Sequence, residues 1–172
     1  MEPGGIFPCL LYRDKLNISD EYNKQMSDEI FKIIGTASKT TFWEPGCIHC
    51  NPVFFEFRTK IEEAVERYAR LVGTDRKFKI HSMWATVGYR GDYHGTHTHG
   101  THPISGVYYV NIPQHPDGYF LKFVYDKWTL LGNEWNEPLE TKKLLLFEGW
   151  VLHGFPPNPS SEPKIAISFN FE

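Results

Sequence analysis

Long hydrophobic runs are missing from this sequence, and so is any excess of positive charge. No stretch approaches the roughly 18–20 apolar residues that a membrane span needs. Lys and Arg total 18 against 21 Asp and Glu, a formal charge of −3. They do not gather into a basic run, so neither nucleic acid nor a membrane surface is an expected partner. Cysteine is scarce: three residues, an odd number, do not make a secreted disulfide framework. The opening "MEPGGIFPCLLYRDKL" has no basic n-region followed by a long apolar one, so a cytoplasmic location is the expectation. Cys47 and Cys50 form C-x-x-C around His49. A structural zinc site needs four ligands, and only Cys9 and distant histidines are left to complete it, which favours two ordinary thiols in a loop. Repeats, low-complexity tracts and linkers are absent as well. The expectation is a single domain over 1–172, with a strand and helices in 1–75 and the core in 76–172.

What is present is 41% hydrophobic residues and 16% aromatics, enough for one well-buried domain with an aromatic-rich core or pocket. "IFPCLLYRDKL" (6–16) reads as a strand. In 17–35, Tyr22, Met26, Ile30 and Ile33–Ile34 recur at helical spacing after a Ser19 or Asp20 cap. Residues 36–53 are punctuated by Gly and Pro and read as irregular. A second helix over 53–73 lines up Phe57, Ile61, Ala64–Val65, Tyr68 and Leu71–Val72, and Gly73 suits its C-terminal cap. From residue 77 the period falls to two. "FKIHSMWATVGYR", "ISGVYYVNIP", "YFLKFVYD", "KKLLLFEGWVLHGF" and "PKIAISFNFE" all read as strands, several separated by "PQHPDG" and "PPNPSSEP". Helices followed by strands make an α+β, mainly β, domain in which the N-terminal helices buttress an antiparallel sandwich or barrel.

Half of the eight histidines fall in "HGTHTHGTH", residues 94–102. In an extended segment His97 and His99 project to the same face, roughly 7 Å apart at Cα, from where two imidazoles can converge on one metal. His153 ends an apolar strand 56 residues after His97 and is the natural third ligand. A polar loop beside an ordinary strand-end histidine is the competing reading. In the last segment, Ile165, Ile167, Phe169 and Phe171 form an apolar face, and Lys164, Ala166, Ser168 and Asn170 the opposite one. That second face is either solvated, or buried and headed by a lysine that needs an anion.

With these pieces in order, the sequence resembles the small Fe(II)/2-oxoglutarate-dependent oxygenases of bacteria and phages. The resemblance rests on "MWATVGYRGDYHGTHTH", "ISGVYYVNIP", "LLLFEGWVLH" and "KIAISFN", with a weaker likeness at "IFPCLLYRD". It implies a double-stranded β-helix (jelly-roll, cupin-like) core, Fe(II) at its open end, and 2-oxoglutarate as co-substrate. His97, His99 and His153 would then be the catalytic metal ligands, His99 standing where broader relatives carry the Asp of H-x-D. Lys164, in the place of the family's Arg, would pair with the distal carboxylate of 2-oxoglutarate. Tyr109, Ser168 and Tyr89 would join it in co-substrate binding, with Trp84 and Asn170 as further pocket residues. The expected reaction hydroxylates a C–H bond of a small molecule or peptide, consuming O₂ and releasing succinate and CO₂.

The chain departs from the pattern in three places. Lys164 keeps the charge of the Arg but loses its planar fork. Ala166 lacks the hydroxyl of the family's R-x-S. Three imidazoles replace the two-His, one-carboxylate triad. Glu148 would point away from His153 in a regular strand, and Asp92 and Asp117 fall in turns, so none supplies the missing carboxylate. A three-histidine cupin-like dioxygenase that does without 2-oxoglutarate is the alternative, although "GTHPISG" stands where a cupin would place its glutamate. A non-catalytic metal- or ligand-binding jelly roll is the third reading. His94 and His102 read as flanking loop residues, and His49, His81 and His115 as surface or strand positions. Trp128, Trp135 and Trp150 read as core or pocket wall, and 112–140 as the variable wall over the substrate.

Overall fold

A computed structural model describes residues 9–35, 39–42, 48–125 and 133–172. The chain starts with β1 (Tyr12–Lys15), α1 (Asp20–Ile34), two single 3₁₀ turns (Ile48–Cys50 and Pro52–Phe54) and α2 (Phe55–Leu71). Eight strands follow: β2 (Ile80–Gly88), β3 (His94–His97), β4 (Ile104–Asn111), β5 (Phe120–Val124), β6 (Glu134–Pro138), β7 (Lys143–Phe147), β8 (Leu152–Phe155) and β9 (Lys164–Phe171). All pairings between them are antiparallel. They form a five-stranded sheet in the order β1-β7-β4-β9-β2 and a four-stranded sheet in the order β3-β8-β5-β6.

Both helices cover the outer face of the five-stranded sheet. Ser19 caps α1 by accepting from the Tyr22 amide at 3.0 Å, and Asp20 and Glu21 in the first turn suit the helix dipole. Met26, Ile30 and Ile34 of α1 and Phe57, Ile61 and Val65 of α2 are buried against Tyr108, Leu146, Ile167 and Phe169. Asn23 fastens the layer: it donates to the Val110 carbonyl (2.8 Å) and accepts from the Tyr108 hydroxyl (2.8 Å). The opposite face of the sheet gives Val107, Tyr109, Leu145, Phe147 and Ala166 to a second core shared with Leu121, Phe123 and Phe155 of the smaller sheet. Because the sheet is covered on both sides, "GVYYV" and "LLLF" are apolar without alternation, while polarity alternates only where one face turns to the cavity.

The helices and most strands fall where periodicity places them. The first strand is shorter than 6–16, and residues 6–8 of that expectation lie outside the described ones. β6 has no counterpart in the sequence reading. Only Glu137 of its five residues is buried, so the strand presents no hydrophobic pattern. Burial pushes the Glu137 carboxyl up, but bonds from Arg13, Lys143 and Trp135 outweigh it and bring it down to about 2. This cluster ties the edge of the smaller sheet to β1 and β7. Trp135 is therefore not core: it is 58% exposed, and Trp150 is 48% exposed. Trp128 lies outside the described residues.

Candidate metal centre and co-substrate cavity

The β3–β8 pairing sets His97 directly opposite His153, and the register shifts between His94 and His97. Glycine makes this close approach possible. A Cβ on Gly154 would stand 3.0 Å from the His94 carbonyl oxygen and 3.1 Å from the Thr96 nitrogen. His99 lies two residues beyond the end of β3, held by its own amide, which donates to the Gly149 carbonyl at 2.7 Å. The Gly149 amide returns a bond to the His102 carbonyl at 3.0 Å, and a Cβ on Gly149 would come within 2.4 Å of that oxygen.

The three imidazoles converge. Their ring centroids are 4.4 Å apart for His97–His153, 5.0 Å for His99–His153 and 5.4 Å for His97–His99. One ligand-capable atom from each lies within 4.8 Å of the other two. Each Nδ1 faces an oxygen: Gly95 O for His97 (2.8 Å), Val151 O for His153 (2.8 Å) and Asn170 Oδ1 for His99 (2.6 Å). A carbonyl oxygen can only accept, so each Nδ1 carries the proton and each Nε2 keeps its lone pair free. Burial pushes His153 down to about 3, and it pushes His99 down too, against the opposing bond to Asn170. Neutral rings with oriented lone pairs suit a divalent metal.

No carboxylate joins this group among the described residues. Asp92 lines the cavity, but one oxygen accepts from Lys39 (2.6 Å) and the other from the Tyr89 amide (2.7 Å). Glu148 accepts from the Trp150 indole (2.6 Å), and Asp117 is exposed beside His115.

The imidazoles open into a cavity of about 670 Å³ between the sheets. Its floor is the polar face of β9: Lys164, Ala166, Ser168 and Asn170 all line it, and the alternate residues lie in the helix-side core. Lys164 is 8% exposed and has no ion pair or hydrogen bond among the described residues. Its Nζ rests 3.4 Å from the centroid of the Phe155 ring, and its stem passes Gly88, where a Cβ would meet Cε at 3.5 Å. Burial alone brings this ammonium down to about 7. The Tyr109 hydroxyl, on the same cavity, is fully buried without a hydrogen-bond partner. An unpaired cation and an orphaned hydroxyl on one cavity fit a bound carboxylate.

Several expectations need correcting. Tyr89 does not line the cavity. β2 ends at Gly88, and the Tyr89 ring turns outward, 43% exposed, beneath the Lys39 ammonium. The described part of 112–140 contributes only Leu121 to the lining, and the lips come instead from Lys39, Thr40 and Phe42 and from residues 92–94, His97 and Thr98. Of the flanking histidines, His94 and His102 both line the cavity. Asn170 holds His99 by its Nδ1, a role legible only once β9 lies beneath the H-x-H segment. Cys47 lies outside the described residues, Cys9 is free and exposed, and Cys50 is exposed.

Helices on a two-sheet jelly roll, with three histidines at its mouth, define the architecture of a non-haem iron oxygenase. The sequence model of the family described as "Putative 2OG-Fe(II) oxygenase" matches residues 82–170, more than half of the chain. The chain belongs to that family, and its cofactors are Fe(II) and 2-oxoglutarate. Among solved structures, it is similar to a Pseudomonas putida prolyl-4-hydroxylase (TM-score 0.67, 14% identity, covering 94% of this chain and 87% of that one). It is equally similar to the viral collagen prolyl hydroxylase of Paramecium Bursaria Chlorella virus-1 in complex with 2OG (0.67, 14%, 94% and 94%). HygX from Streptomyces hygroscopicus with iron bound also matches (0.67, 9%, 94% and 81%). No curated relative matches the chain. Among the described residues no helix is long and apolar enough to cross a membrane.

Proposed function

We propose that this oxygenase is a hydroxylase in which His97, His99 and His153 hold Fe(II) through Nε2, and Lys164 and Tyr109 hold the distal carboxylate of 2-oxoglutarate. The observation that carries the reading is the pairing of two unmet needs in one cavity. Three oriented imidazole lone pairs lie at one place, and a buried, unpaired ammonium lies along the same floor. Bound Fe(II) supplies O₂ activation coupled to oxidation of 2-oxoglutarate to succinate and CO₂, with one oxygen atom of O₂ entering a substrate C–H bond. The chain's own work is binding and exclusion. Gly95, Val151 and Asn170 fix the ring tautomers, Lys164 neutralises the carboxylate, and Tyr109 donates its hydroxyl proton to it. Ser168, half-buried on the same floor, offers a further hydroxyl. Phe155, Leu121 and Phe147 keep that part of the cavity dry.

The cavity volume suits a small molecule or one side chain of a peptide beside the oxoacid. We place the protein in a reducing compartment such as the cytoplasm, in keeping with the free thiol of Cys9. The lack of a carboxylate beside the three imidazoles among the described residues favours one second reading, a three-histidine dioxygenase that binds its substrate on the metal without 2-oxoglutarate. Iron titration followed by succinate detection tests the first reading. Succinate formation that needs both iron and Lys164 supports it, and iron-dependent O₂ uptake indifferent to 2-oxoglutarate and to Lys164→Ala selects the second.

A further inference from the structure

His94 is used by neither the metal set nor the carboxylate site, yet it stands between them. It opens β3, opposite Phe155 in the register. Its ring stacks on that of His97, with centroids 4.0 Å apart and planes 22° from parallel. Phe155 in turn carries the Lys164 ammonium on its ring. An oxoacid reaching from the imidazole cluster to Lys164 therefore passes His94, which lines the same cavity. Neither nitrogen of its ring has a hydrogen-bond partner among the described residues. A residue needed only as a flat plate over His97 would serve as well as phenylalanine, whereas an imidazole at this place also presents an unused N–H to whatever fills the cavity.

We propose that His94 is a further co-substrate contact, its ring N–H donating a hydrogen bond to 2-oxoglutarate held between the metal and Lys164. This rests on the oxoacid reading above. A neutral donor here supplements the single charge of Lys164 and stands in for a donor atom that a guanidinium would have brought and lysine lacks.

The test is calorimetric titration of 2-oxoglutarate into Fe(II)-loaded protein under nitrogen, comparing the parent with His94→Ala, His94→Phe and His94→Gln. Loss of a hydrogen bond to a charged acceptor is expected to weaken 2-oxoglutarate about tenfold or more in the Ala and Phe variants. Gln, which keeps a donor, should recover most of the affinity. Iron affinity, titrated separately, should stay at the parent level in all three. Parent-like 2-oxoglutarate affinity in His94→Phe overturns the proposal in favour of stacking alone. Loss of iron affinity across all three variants overturns it in favour of support for His97. A parent protein that binds iron and not 2-oxoglutarate removes the oxoacid reading itself, and this contact with it.

Discussion

Asn170 Oδ1 accepts two hydrogen bonds at once, from His99 Nδ1 at 2.6 Å and from the Ser105 hydroxyl at 2.8 Å. Its amide nitrogen donates to Ser82 Oγ at 3.1 Å, which fixes which way the amide faces. His99 is thus held by an outer partner that is itself held. Partners of this kind typically contribute about 10–100-fold to metal affinity. Asn170→Ala should weaken Fe(II) binding by about that factor, read by metal titration against a chelating indicator. An unchanged affinity would mean that His99 needs no such support or is not a ligand.

Lys164 sets stability against function. The ligand-free fold holds this lysine at about 7, whereas an ordinary lysine titrates near 10.5. Between these values the unfolded chain carries the extra proton, so stability rises with pH across the window. Lys164→Met removes that dependence. Its Tm should exceed that of the parent most below pH 7, and the difference should close toward about pH 10.5. The same variant should lose detectable 2-oxoglutarate binding. Thermal unfolding at several pH values, together with one titration, checks both halves.

Under the proposed reading, the same lysine couples co-substrate binding to proton uptake. At pH 8 the ligand-free ammonium is largely deprotonated, and a carboxylate beside it favours the charged form. Binding of 2-oxoglutarate at pH 8 should therefore take up close to one proton, and at pH 6 almost none. Calorimetry in buffers of different ionisation enthalpy measures this directly. Lys164→Arg, charged throughout, should show no uptake at either pH.

Gly149 carries no positive φ, but it has no room for a side chain. Gly149→Ala would press a methyl group to within 2.4 Å of the His102 carbonyl. The His99–His102 segment must shift to relieve the contact. Iron affinity should fall at least about tenfold while the helix-side core stays folded, because a sub-ångström displacement of one ligand suffices. Circular dichroism together with metal titration separates the two effects.

Most of the frame was legible from periodicity. The alternation in "KIAISFNF" identified the two faces of β9, and the structure places Ile165, Ile167, Phe169 and Phe171 on the core side. The spacing of His97, His99 and His153 anticipated a convergence that two strands and a tight turn carry out. What escaped were relationships without a local signal. β6 is an exposed edge strand, so nothing hydrophobic marks it. Tyr89 lies in the phase of Met83, Ala85 and Val87, whose side chains join the helix-side core, while Trp84 and Thr86 take the cavity side. The lip at Lys39–Phe42 depends on pairing with β2, through the Val87 amide to Lys39 O (2.8 Å) and the Thr41 amide to Ala85 O (3.0 Å). Pairing of that kind links distant residues and leaves no trace in either segment alone.

The alternation along β9 separates two kinds of inheritance in a single strand. Changes at 165, 167, 169 and 171 meet the packed helix layer and are felt by the whole fold. Changes at 164, 166, 168 and 170 meet the cavity side instead: its ligands, the core between the sheets at Ala166, and the bonds of Asn170 to His99, Ser105 and Ser82. A lineage can therefore rewrite its choice of oxoacid anchor, pocket depth or metal poise in alternate codons without renegotiating the architecture. Lysine at 164 and alanine at 166 occupy this cavity-side half of a strand whose other half is buried in the helix-side core.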